Sequence, residues 1–288
     1  MSEQGITTAR LAVTWLKTGY CTHPEAVTLR GGRWQSAQFP ALVALLQHPT
    51  EGYILFDTGY SQRFFAETRR WPNRAYALVT PVYLEPGESA AQQLQQRGIA
   101  PDAIRHIVIS HFHADHIGGL WDFPEAQFIC ARSAYENVKL KKGVRAVSAG
   151  FLPGLLPPDF EPRVSFVEDR PTVRALPEGF ETGFDVFCDR TLIAVELPGH
   201  AAGQLGLRFT DPQGHTYFLV ADSCWSSRAY RELIEPHPIA QLIFDDAATY
   251  RDTLRKLHHL HKAHPNIRIV PTHCNEFWRS QHSLQDAV

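Results

Sequence analysis

No stretch of this 288-residue chain approaches the run of about twenty apolar residues that a bilayer-spanning helix requires. The first residues, Met1-Ser2-Glu3-Gln4-Gly5, carry no basic region leading into an apolar core, so no export signal is read there. A cytoplasmic location without a membrane partner is the resulting expectation. Charge of one sign is missing as well. With 28 basic and 30 acidic residues the formal net charge is −2, which gives no electrostatic footprint for nucleic acid and favours a small-molecule partner. The five cysteines, Cys21, Cys130, Cys188, Cys224 and Cys274, are scattered and show no Cys-x-x-Cys spacing, so they read as reduced thiols. Cys224 and Cys274 fall close to ligand-type residues, yet without ligand spacing they read as small packing residues. Internal repeats, low-complexity tracts and Gly/Ser linkers are also absent, which makes one domain over 1–288 the economical organisation.

What the chain does have is a histidine-rich block. Between residues 104–110, which read as a buried strand, and the pair Gly118-Gly119 lies His111-Phe112-His113-Ala114-Asp115-His116, with four ligand-type side chains in six positions. An extended chain leaving a strand projects residues two apart to one side, so His111 and His113 can grip one ion together. Asp115 and His116 then fall beyond the turn, where they can serve a second ion. Carboxylate and neutral imidazole both suit zinc or iron. Three more strand-like runs end on such residues: Leu197-Pro198-Gly199-His200, Phe218-Leu219-Val220-Ala221-Asp222 and Ile269-Val270-Pro271-Thr272-His273. The apolar run Ile54-Leu55-Phe56 ends in an Asp57-Thr58-Gly59 turn. His258, His259, His261 and His264 cluster on a helical stretch without that context and read as a solvated face.

Around these motifs the residue pattern predicts strands at 11–16, 41–47, 53–56, 104–110, 126–130, 164–167, 184–187, 191–196, 205–209, 217–220 and 267–270. Helices are predicted at 61–70 behind a serine cap, at 89–97 before Gly98, at 133–142 and at 245–264. Segments 71–86 and 145–162 are broken by proline, glycine and aromatics and read as loop or lid insertions. The first is a candidate cover or homodimer contact; the second, with Phe151 and Leu152, either packs on the core or roofs a pocket. Strands then helices in both halves indicate an α+β fold, sheet on sheet with flanking helices.

The order of Asp57, the 111–116 block, His200, Asp222 and His273 resembles the metallo-β-lactamase superfamily, whose hallmark is His-x-His-x-Asp-His with later His, Asp and His ligands. The resemblance spans residues 54–273. It implies a four-layer αβ/βα sandwich with two divalent metals at one edge between the sheets, zinc first, with iron, manganese or cobalt as alternatives. It assigns His111, His113 and His200 to one metal and Asp115, His116 and His273 to the other, with Asp222 bridging them. Asp57 would support a ligand by hydrogen bonding rather than bind metal itself. The implied chemistry is hydrolysis. A divalent ion lowers the pKa of water from ~15.7 to roughly 7, the resulting hydroxide attacks an ester carbonyl, and Asp115 passes a proton to the leaving group.

A bridging aspartate sets the chain apart from the β-lactamases themselves. In size, in its Asp-Thr-Gly turn and in its apolar loop it is similar to the N-acyl homoserine lactone lactonases. The expected substrate is thus a small lactone with an acyl chain, contacted by Trp225, Phe151 and Leu152. One position departs from that pattern: lactonases often carry tyrosine three residues after the bridging aspartate, where this chain has Trp225. An indole donates one N–H bond without a phenol's acidity. A glyoxalase II-type thioesterase is the first alternative, although 275–288 is too short for such a protein's C-terminal region. A mononuclear iron sulfur dioxygenase, with two His and one Asp on one iron, is the alternative from another class. A non-catalytic descendant is disfavoured because an open two-metal site suits no purely structural role.

Overall fold

Side-chain alternation in the strands decides the architecture. In the computed structural model, which describes residues 9–283, the first sheet contains β1 (Ala12–Pro24), β2 (Ser36–His48), β3 (Gly52–Phe56), β4 (Val82–Tyr83), β5 (Ile104–Val108), β6 (Gln127–Cys130) and β7 (Val164–Phe166). The second contains β8 (Thr172–Arg174), β9 (Thr182–Asp185), β10 (Ile193–Glu196), β11 (Leu205–Thr210), β12 (Thr216–Ala221) and β13 (Arg268–Pro271). The Met1–Gly5 stretch and the tail beyond residue 283 lie outside the described residues.

The strand orders are β4-β1-β2-β3-β5-β6-β7 and β13-β12-β11-β10-β9-β8. Antiparallel pairing runs from β4 to β3, while β3, β5, β6 and β7 pair in parallel; in the second sheet only β12 and β13 do so. In β12, Leu219 and Ala221 face a core shared with Leu16, Val43, Ile54 and Ile107 of the first sheet. Phe218 and Val220 face the other way, against Leu254, Leu257 and Leu260 of the helix Ala247–Ala263. A strand buried on both faces in this way must be apolar throughout, which is why 217–220 reads as an uninterrupted hydrophobic run. The helices Gln62–Glu67, Ala90–Gln96 and Arg132–Val138 contribute Phe64, Leu94 and Tyr135 to the core from the first sheet's side. The result is the expected α+β sandwich of two mixed sheets with helices on the outside.

Several elements escape the sequence reading. β1 and β2 each run 13 residues, far beyond the predicted 11–16 and 41–47, because a bulge between Lys17 and Tyr20 breaks the alternation from which the strand is recognised. Within 71–86 lies the helix Arg74–Val79, which buries no residue and so shows no apolar stripe, followed by β4 pairing with Tyr20 and Cys21. Segment 145–162 is also ordered, through the helix Gly143–Ser148, the turn Pro153–Leu155 and the helix Phe160–Arg163. Phe151 and Leu152 are buried in the main core, so this loop packs inward, the first of the two readings of the segment. A proline-broken apolar segment satisfies its backbone by local turns and still contributes large side chains to the interior.

The longest helix begins at Asp246, whose side chain accepts the Thr249 N–H at 2.6 Å and whose own N–H donates to Gly199 O at 3.0 Å. Gly199 sits at φ +124°, and a Cβ there would lie 2.2 Å from Tyr250 N. Gly199→Ala therefore drives the His200 loop off the helix. The expected loss is about 2 kcal/mol or more in denaturant unfolding. A native-like unfolding midpoint would contradict this close approach.

Candidate metal centre

The ligand-type side chains leave the C-terminal ends of β3, β5, β10, β12 and β13, so one edge of the sandwich collects them all. Backbone bonds stitch the two sheets there: Leu205 N–H donates to Ser110 O at 2.9 Å, and Leu42 N–H donates to Thr272 O at 3.2 Å. Two strand-end residues adopt left-handed backbone, Asp57 at φ 62° and Ala221 at φ 46°. For residues bearing a Cβ such a conformation is uncommon and clusters at functional sites. Beyond β5 the chain turns at His113 into the one-turn helix Ala114–Ile117, placing His111 and His113 before the turn and Asp115 and His116 after it.

All seven side chains of the expected ligand set come together. The ligand atoms of His111, His113 and His200 lie within 4.8 Å of one another, as do those of Asp115, His116 and His273; His111, His116 and Asp222 form a third such group that links the two. His200 Nε2 is 3.0 Å from His113 Nδ1, and His273 Nε2 is 3.2 Å from Asp115 Oδ2. Asp222 reaches both sets: Oδ2 lies 3.5 Å from His200 Nε2 and 3.2 Å from His273 Nε2, and Oδ1 lies 3.3 Å from His116 Nε2. Tetrahedral ligands on a zinc-sized ion stand about 3.3 Å apart, so these spacings suit shared ions.

Unpartnered atoms make the same point independently. His111 Nε2, His116 Nε2 and Asp222 Oδ1 are buried and accept or donate no hydrogen bond. Buried polar atoms left in this way are costly and rare, and a divalent ion is the partner this donor set fits. The Nδ1 atoms of His111, His116 and His273 are occupied, while His200 Nδ1 is buried without a partner. His116 Nδ1–H donates to Asp57 Oδ2 at 2.7 Å, and His273 Nδ1–H donates to the Pro40 carbonyl at 2.7 Å. His111 Nδ1 lies 3.0 Å from Ser110 Oγ, whose hydroxyl donates to Asp57 Oδ2 at 2.8 Å, while the Ser110 N–H donates to Asp57 Oδ1 at 2.7 Å. These bonds fix the tautomers that turn Nε2 lone pairs toward the centre. Asp57 thus hydrogen-bonds both Ser110 and His116. Ser110 and the Pro40 carbonyl were missed: the first carries no signal beyond adjacency to His111, and the second is a backbone atom from β2.

Electrostatics divides the two ligand groups. Burial, helped by neighbouring imidazoles, pushes the proton affinity of His111 far down, that of His113 to about 4 and that of His200 to about 3. Burial acts the same way on His116 and His273, but the carboxylates of Asp115 and Asp222, joined at His116 by Asp57, override it and raise both well above the usual histidine range. Asp115 is correspondingly held down at about 2: burial opposes ionisation, and the imidazoles of His116 and His273 overcome it.

Gly150, at φ +66°, lets the 150–155 segment close on His113; a Cβ there would lie 2.5 Å from the imidazole. Trp225 Nε1–H donates to Asp222 Oδ2 at 2.9 Å, and its ring packs on His200 and Phe244. Gln204, also missed, ties two ligand loops by donating to Leu197 O at 3.1 Å and Ser223 Oγ at 2.9 Å. Cys224 and Cys274 are fully buried, and Cys274 Sγ accepts the Ser227 N–H at 3.3 Å, as a packing and capping residue does. His258 Nδ1 lies 2.8 Å from Tyr230 O and the His261 ring packs on Tyr230, so that helix face is used structurally. A cleft of about 220 Å³ opens beside His113 and His200, walled by Phe112, Ala134, Val138, Leu242 and Phe244.

Known proteins provide a frame for this geometry. Residues 37–263 match the metallo-beta-lactamase superfamily. A Mycobacterium tuberculosis protein named a probable metallo-hydrolase is 28% identical over 247 residues, 80% of this chain and 73% of its own. The N-acyl homoserine lactonase AttM of Azorhizobium caulinodans is 25% identical over 258 residues, 88% of this chain and 89% of the relative. A crystal structure of a B. thuringiensis AiiA mutant with N-decanoyl-L-homoserine bound at its active site superposes at a TM-score of 0.72, covering 95% of this chain and 97% of the other at 18% identity. At that identity the likeness is one of fold.

The proton affinities set a direction for metal loading. His111, His113 and His200 are neutral near pH 7 and would take an ion without losing protons, whereas His116 and His273 would each have to give one up. Acidification adds protons to the free ligands, so affinity falls as pH falls, and it falls first at the Asp115, His116 and His273 group. Titration calorimetry in buffers of different ionisation enthalpy is expected to show proton release mainly on the second equivalent of zinc. Equal release on both would refute the division.

Proposed function

This chain belongs to the metallo-β-lactamase superfamily, and on that premise we propose that it is a two-metal hydrolase of carboxylic esters whose substrate is a lactone of the N-acyl homoserine type. The observation that carries the proposal is Asp222, whose two oxygens reach toward both ligand groups at 3.2 to 3.5 Å. His111, His113 and His200 would hold one ion and Asp115, His116 and His273 the other, with zinc as the first expectation. When bound, the ions supply Lewis acidity and a water of lowered pKa, roughly 7.

The remaining work falls to the chain. Water attacks the ester carbonyl carbon, the ring C–O bond breaks, and a hydroxy acid is released. Asp115, ionised at neutral pH, takes the proton from the attacking water and hands it to the leaving alkoxide. Asp57 and Ser110 hold His116 and His111 in orientation throughout. The apolar walls of the cleft, Phe112, Val138, Leu242 and Phe244, suit an acyl chain and exclude water from one side of the reacting carbonyl. Trp225 does not replace a phenolic donor to the substrate, because its N–H is committed to Asp222; it orients that carboxylate instead. The lactonase relatives favour a lactone, and the same geometry would also attack a thioester. A mononuclear iron reading needs one ligand group, whereas two gather here.

Metal analysis and a panel of lactones, thioesters and phosphodiesters on zinc-loaded protein test the assignment. Lactones are expected to be the best substrates, with two metals per chain. Asp222→Ala is expected to lose more than about a hundredfold in kcat along with part of the second metal. Full activity in that variant would remove the two-metal reading. Trp225→Phe keeps the packing and deletes the N–H, so metal affinity or kcat should drop about tenfold.

A further inference from the structure

The mouth of the cleft is ringed by large apolar side chains that stand exposed. Leu140, between the cleft-lining residues Val138 and Lys141, is 82% exposed and Val144 is 72% exposed. On the opposite bank Leu242 is 81% and Ile243 50% exposed. Isolated exposed apolar residues are ordinary, but large ones on both banks of one cleft mark an interaction surface. On the first bank the charge beside them is of one sign, whereas exposed Asp245 and Asp246 follow Phe244 on the other. The first bank reads Lys139-Leu140-Lys141-Lys142-Gly143-Val144-Arg145, with four cations in seven residues and no acid. Lys139 is paired with Glu136 at 2.6 Å; among the described residues Lys142 and Arg145 have no ion pair.

A second segment of the same character borders this edge. Trp71 and Val79 are 67% and 72% exposed, Leu78 is exposed, and Arg69, Arg70 and Arg74 stand exposed among them. The segment follows the helix Gln62–Glu67, where Arg63 Nε–H donates to Gly154 O at 2.7 Å, in the same loop whose Gly150 packs on His113. Both apolar and basic segments therefore flank the metal edge of the sandwich.

We propose that this edge docks on an anionic lipid surface. Leu140, Val144, Leu242 and Trp71 would enter the boundary between headgroups and acyl chains, the lysines and arginines would meet lipid phosphates, and the cleft would open onto the bilayer. Association of this kind is peripheral, since no helix among the described residues is long and apolar enough to cross a membrane. A second copy of the chain, which could set this cationic bank against Asp245 and Asp246, is the competing occupant. The docking rests on exposure and charge and is independent of which ester the centre hydrolyses.

Flotation of the zinc-loaded full chain with phosphatidylcholine vesicles, and with vesicles that also contain phosphatidylglycerol, tests the proposal. The protein is expected to float only with the anionic vesicles and to be released by high salt. A cation near such a surface contributes about fivefold in partitioning, so Lys142→Glu with Arg145→Glu should lower binding tenfold or more. Leu140→Ser with Val144→Ser should lower it as well. None of these four residues lines the cleft, so turnover of a short soluble ester should be unchanged in both variants. Equal binding to both kinds of vesicle, or to neither, overturns the proposal. So does a dimer that the Leu140 and Val144 substitutions dissociate without any effect on vesicle binding. If anionic vesicles bind while no ester is hydrolysed, the hydrolase reading fails and the docking surface stands.

Discussion

Everything at the functional edge depends on keeping buried carboxylates neutralised. Asp57, Asp115 and Asp222 are all buried beside five imidazoles, in a region where an uncompensated charge costs several kcal/mol. Nothing apolar can compensate them. The counter-charge comes from His116 and His273, whose proton affinities those carboxylates raise, and two divalent ions would take over the same role when they displace the protons. The ligand set thus remains near neutrality with or without metal, and the cluster is compatible with a folded protein before it is loaded.

Such compensation requires positions held to within a few tenths of an ångström, which explains why the ligands sit where the two sheets are tied together. The Leu205 to Ser110 and Leu42 to Thr272 bonds join backbone of one sheet to loops of the other, and Thr272 N–H also donates to Ala221 O at 3.2 Å, one residue before Asp222. The left-handed residues Asp57 and Ala221 are part of the same device. A strand continuing straight would carry its next side chain past the centre; a reversal of φ turns it inward, at a cost of about 1 kcal/mol that the surrounding bonds offset.

These relations separate what the sequence discloses from what it hides. The seven ligand-type residues were legible because they fall at the ends of four strand-like runs, so strand end and metal chemistry coincide in neighbouring residues. The sandwich was legible for the same reason, as strands with two buried faces are continuous hydrophobic words. Ser110, Gln204 and the Pro40 carbonyl were not, because their importance lies in partners 53, 19 and 233 residues away and their types are commonplace. The helix Arg74–Val79 was missed because it buries nothing, and β1 was cut short at its bulge. At Phe151 and Leu152, which fill the core, hydrophobicity alone does not distinguish a side chain that faces a cleft from one that packs behind it.

Trp225 joins the substrate side of the site to its metal side. Its N–H anchors Oδ2 of Asp222, leaving Oδ1 without a hydrogen bond, so the two carboxylate oxygens are not equivalent. Its ring meets His200 edge-on at 5.8 Å and Phe244 at the same distance, and Phe244 in turn stacks on Tyr250 at 4.2 Å. Phe244 is also a wall of the cleft. A ligand pressing on that wall would act on the indole, and through it on the one carboxylate placed between the two ligand groups. The indole is held between an aromatic wall and a buried charge, so its one N–H bond controls the geometry of Asp222.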